Sequence, residues 1–117
     1  NIINRGGGKL VIELWKSTPD DKLSDEELTV SIDGILTNVV SGGRVVLRPG
    51  QSICLPPRLY HRFYAEEGSG KVLIGEVSMV NDDDNDNRFL DETGRFPAIE
   101  EDVEPLHLLV KDYPEYL

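Results

Sequence analysis

His61 closes the run Arg48-Pro-Gly-Gln-Ser-Ile-Cys-Leu-Pro-Pro-Arg-Leu-Tyr-His61, where the Pro56-Pro57 turn hands the chain from one short apolar stretch to the next. A neutral imidazole fixed by a strand is what a divalent-metal site needs, because the backbone sets the ring while the second nitrogen is held by a neighbour. The residues alone equally allow a surface histidine just after a turn. Glu76 stands in the apolar run Val72-Leu-Ile-Gly-Glu-Val-Ser-Met79. A buried carboxylate there is costly unless it is paired or used, which makes Glu76 a candidate proton carrier; strand alternation also permits it to face outward. Asp86 and Arg88 end the polar block Asn81-Asp-Asp-Asp-Asn-Asp-Asn-Arg88. A carboxylate accepts and a guanidinium donates hydrogen bonds, so together they suit a hydroxyl-bearing ligand, and these two are the expected substrate contacts. Asp82, Asp83 and Asp84 read as a solvated turn. A calcium loop is excluded, since Asn87 stands where glycine is required and Thr93 where a bidentate glutamate belongs.

The elements that must position these groups are strands. Lys9-Leu-Val-Ile-Glu-Leu-Trp15 is β-branched and aromatic, and Thr29 to Leu36 alternates and breaks at Asp33-Gly34, a hairpin dipeptide. Arg44 to Leu47, Ser52 to Leu55, His61 to Ala65 and Lys71 to Val80 continue the series, and Leu106 to Val110 reads as a final strand. Ser17 to Glu27 is a solvated loop with a helical turn capped by Ser24, and no part of a site. Cys54 reads as a small buried hydrophobe, His107 as a satisfied strand histidine, and Trp15 or Tyr60 could offer a flat face to a ligand ring. The class is all-β, a sandwich or barrel, followed by an irregular acidic C-terminal extension.

The 117 residues are enough for one domain and one core. The net charge of -10 repels phosphate backbones, so no nucleic-acid partner is expected, and no apolar run is long enough to span a bilayer. One cysteine and no secretory leader pattern at the start place the protein in the cytoplasm as an expectation.

The spacing Gly50, Pro56, His61 resembles the second cupin motif, G-x-x-x-x-x-P-x-G-x-x-H-x-x-x-N, with Arg58 in place of the second glycine and Ala65 in place of the asparagine. More specifically, Ile2-Ile-Asn-Arg-Gly-Gly-Gly8, Leu10-Val-Ile-Glu-Leu14, Leu59-Tyr-His61, the block Gly75 to Phe89, Gly94-Arg-Phe-Pro97 and Glu104-Pro-Leu-His107 resemble the D-lyxose isomerase family of cupin sugar isomerases. The resemblance implies a double-stranded β-helix, or small jelly-roll barrel, over residues 1–117, read as the C-terminal portion of a longer protein. It implies a metal, manganese first, held by two histidines and a glutamate from an upstream motif together with His61. It also implies isomerisation of D-lyxose and D-xylulose, and of D-mannose and D-fructose, through an enediol; the base that this needs is either Glu76, on the strength of its apolar strand, or a group upstream. A homodimer joined through barrel edges is expected.

Two other readings compete. A non-catalytic cupin sugar-binding or sensory module fits the lack of the upstream metal motif in these residues, and an iron dioxygenase fits the His61 spacing but leaves the Asn-Asp-Arg block unexplained.

Overall fold

The computed structural model describes residues 1–80, 82, 85–91, 100, 102–108 and 113–116. Among the described residues eight strands follow one another: β1 (Ile2–Gly7), β2 (Leu10–Lys16), β3 (Leu28–Ile32), β4 (Ile35–Val39), β5 (Gly43–Leu47), β6 (Ser52–Cys54), β7 (Leu59–Ala65) and β8 (Val72–Glu76). A four-residue turn of helix, α1 (Tyr113–Tyr116), comes after them. All strand pairings are antiparallel, in a larger sheet ordered β4-β3-β6-β1-β8 and a smaller one ordered β5-β2-β7.

The two sheets pack through one core. Strand period two sends Leu10, Ile12 and Leu14 of β2 to the same face, all three wholly buried, where they meet Val45 and Leu47 of β5 and Ile2, Leu28, Val30, Val39 and Ile53 of the larger sheet. The molecule is therefore an all-β sandwich. Asp33 and Gly34 both hold positive φ, 48° and 84°, as a tight hairpin requires, and the Asp33 carboxylate accepts from the Ser52 amide at 2.8 Å, joining the turn to β6.

Four expectations are corrected. Ile2–Gly7, unassigned from sequence, is an inner strand of the larger sheet. Its two glycines and its asparagine weaken the local β signal, but β6 and β8 hold it from both sides, and the buried Asn4 amide donates to the carbonyls of Gly8 and Leu47, each at 2.9 Å. No helical turn follows Ser24; its hydroxyl accepts from the Glu26 amide, while a Ser17–Leu23 bridge closes the loop as extended chain. Cys54 is exposed, because Ile53 takes the inward position and alternation turns its neighbour out. Leu106 and His107 lie in bends, with Leu106 exposed, so no final strand begins there; Leu109 and Val110 lie outside the described residues.

Candidate functional site

Directly opposed residues of an antiparallel ladder share a face. His61 is opposed to Leu14, Phe63 to Ile12 and Ala65 to Leu10, so β7 turns His61 toward the inside of the sandwich, on the face that carries the core of β2. On the other sheet Glu76 is opposed to Ile2, itself a core residue, and so faces inward too. At this end the two sheets are not filled with hydrocarbon. His61 and Glu76 are exposed, and Phe63 keeps 43% of its surface open although it faces inward. The space is a cavity of about 1040 Å³, lined by His61 from one sheet, Glu76 from the other, and Asp86 and Arg88 from the polar block. All four residues singled out from the sequence thus come to one place. The exposure of Glu76 removes the burial cost argued for it, and leaves its inward register as the reason to retain it.

The His61 ring is held on two sides. Its Nδ1 lies 3.0 Å from the Leu59 carbonyl, and its plane stacks within 12° of Phe63 at a centroid distance of 6.4 Å. With the proton on Nδ1 donated to that carbonyl, Nε2 is left as the basic nitrogen, the arrangement that a metal-ligating histidine uses. His61 therefore fits as one ligand. Among the described residues, however, no three of His, Cys, Asp and Glu gather, so these residues alone do not make a site for a divalent ion.

The polar block is folded on itself. The Asp86 carboxylate accepts from the Asp82 amide at 2.8 Å and from the Asn87 side chain at 2.7 Å, and Arg88 donates to the carbonyls of Asn85 and Asn87. Asp86 thus shapes the turn as well as lining the cavity. Asp83 and Asp84 lie outside the described residues.

Sequence reasoning missed one wall. The Ser17 to Lys22 loop, set aside as solvated, contributes Ser17 and Asp21 to the cavity, and Arg58 and Tyr60 flank them. The Asp21 carboxylate pairs with Arg58 at 3.1 Å and approaches Arg88 Nε at 4.0 Å, while Tyr60 donates to the Asp21 carbonyl at 2.7 Å. Asp20 beside it is held below the usual carboxylate range, first by the Thr18 hydroxyl and then by Lys22. The one clue in the sequence was Arg58 standing at a glycine position. Trp15, by contrast, does not line the cavity, and His107 is exposed away from it.

On the outer face of the smaller sheet a second polar group sits across three strands. Glu13 of β2 is 3% exposed; its Oε1 accepts from Arg44 Nε at 2.8 Å and from the Tyr64 hydroxyl at 2.9 Å, and its Oε2 accepts from Arg62 Nε. The Arg62 and Tyr64 hydrogen bonds hold the Glu13 carboxyl below the usual carboxylate range, and the same bond raises Tyr64.

The molecule is thus an all-β sandwich that opens at one end into a cavity where an imidazole, carboxylates and arginines stand among apolar side chains. The model of the D-lyxose isomerase family matches residues 1–113, and the chain belongs to that family. It is 51% identical over its whole length to a D-lyxose/D-mannose isomerase of Serratia proteamaculans, and 48% identical over 99% of its length to a D-lyxose/D-mannose isomerase of Escherichia coli O157:H7. The chain spans about half the length of these curated relatives, 51% of each.

Proposed function

We propose that this protein is an aldose–ketose isomerase that interconverts D-lyxose with D-xylulose and D-mannose with D-fructose. The observation that carries the reading is that His61 and Glu76, from facing sheets, line one cavity in a chain about half identical to proteins named for D-lyxose and D-mannose. The reaction moves a proton from C2 of the aldose to C1 and a second from the C2 hydroxyl to the C1 oxygen, with no net oxidation, through a cis-enediol. Glu76 takes the carbon-bound proton as carboxylate and returns it to the neighbouring carbon. Arg88 donates to sugar hydroxyls, and Asp86, in the same turn, accepts from them. Sheet-borne groups are well placed for this, because rigid strands keep base and substrate in register.

A divalent ion, manganese first, would polarise the sugar oxygens during this transfer. His61 would be a ligand to it, and because no three of His, Cys, Asp and Glu gather among the described residues, the ion would need donors beyond those described here.

The test is direct. The full-length protein, supplied with manganese, is incubated with D-lyxose and with D-mannose in deuterated water, and the ketoses are analysed. Formation of D-xylulose and D-fructose is the expected result, with deuterium at C1 in the fraction of turnovers in which the proton held on Glu76 exchanges with solvent; absence of turnover on both sugars rejects the proposal.

A further inference from the structure

Among the described residues Arg58 and Asp21 are two of the three non-glycine residues with positive φ, at 64° and 58°. Aspartate tolerates that backbone; a long side chain such as arginine seldom adopts it, and glycine would take it freely. Such backbone persists where the surroundings fix it, and the surroundings here are one loop. The Arg58 guanidinium donates to the Thr18 carbonyl at 3.2 Å and to the Asp21 carboxylate at 3.1 Å, and the Arg58 carbonyl accepts from the Ser17 hydroxyl at 2.8 Å. The loop is closed within itself by Thr18 N to the Lys22 carbonyl and Asp21 N to the Thr18 carbonyl, so Arg58 grips a preformed unit. Ser17, Asp21, Arg58 and Arg88 all line the cavity that holds His61 and Glu76.

We infer that Arg58 is a positioning residue: it fixes the Ser17 to Lys22 loop as a wall of the sugar cavity and, through Asp21, sets where Arg88 stands. The substrate named here rests on the isomerase reading; the loop geometry does not. A merely structural arginine would be missed by the fold, its loss lowering the thermal midpoint in spite of the backbone relief that glycine brings. A positioning arginine would instead be missed by the substrate and not by the fold.

Arg58→Gly in the full-length protein separates these. The thermal midpoint is expected to hold or rise, the amides of Asp21 and Lys22 to exchange about tenfold faster or more, and kcat/KM for D-lyxose to fall about tenfold, mainly through KM. Asp21→Asn, which keeps the left-handed backbone and removes the charge, is expected to raise KM in the same direction. Unchanged exchange of the loop amides overturns the inference. So does an unchanged KM, or a loss of activity that only follows a lower thermal midpoint. If the unsubstituted protein turned over neither sugar, the isomerase reading alone would fall. Calorimetric titration with D-lyxose and the exchange experiment would then decide the role of Arg58, equal affinity of the two proteins for D-lyxose overturning it.

Discussion

Glu13 and Arg62 are register partners across the β2–β7 ladder, and their side chains bond on the face of the sheet opposite to His61. Arg44 completes the row from β5, so one carboxylate ties all three strands together. The folded carboxyl gives up its proton more readily than the ordinary value of 4.5, and the stabilisation it provides is therefore complete above about pH 4.5 and is lost as pH falls through the lowered folded value. Glu13→Gln should lower the denaturation midpoint at neutral pH and flatten the fall of stability below pH 4.5. Denaturant titrations at several acidic pH values check this, and the difference should shrink in high salt because both arginines are about two-thirds exposed.

Asn4 acts inside the core without charge. Asn4→Ala would leave the buried carbonyls of Leu47 and Gly8 without their donor and is expected to cost about 1–3 kcal/mol. Urea unfolding with an unchanged m value and a lower midpoint is the expected record.

Glu76→Gln keeps the shape of the side chain and removes the proposed base. A lost general base lowers kcat by about 100- to 10,000-fold, while KM should change little because the amide still fits the same space. A variant with near-normal kcat would move the proton-carrying role to another group.

His61→Ala should cost metal affinity before it costs stability, since the ring is exposed. Loss of a partner that only orients a ligand lowers affinity or activity by about 10- to 100-fold, and loss of a ligand should exceed that. Metal analysis after dialysis, and recovery of activity by manganese after chelation in the unsubstituted protein but not in the variant, are the expected outcomes.

Much of the sandwich was readable. Leu10-Val-Ile-Glu-Leu14 carries apolar residues at period two and is the central strand of its sheet, and Asp33-Gly34 forms the hairpin turn that its residue types require. What could not be read was whatever depends on distant chain. Ile2–Gly7 is a strand because β6 and β8 pair with it, information that no window of its own residues contains. The exposure of Cys54 follows from a register that a three-residue strand is too short to announce.

The site shows the same division. His61 and Glu76 were legible as chemistry-bearing types on strands, but only the pairing with Leu14 and Ile2 turns both inward. Asp21 gave no local signal at all, because its importance comes from Arg58, 37 positions away, and from Arg88. Loops that look solvated become walls when a later turn reaches them.

Trp15 is the single tryptophan, half-buried and opposed to Tyr60, whose hydroxyl is bound to the Asp21 carbonyl. The molecule thus carries its own optical reporter next to the cavity wall. Selective excitation of that indole should register motion of the Asp21 side of the cavity, with no added label.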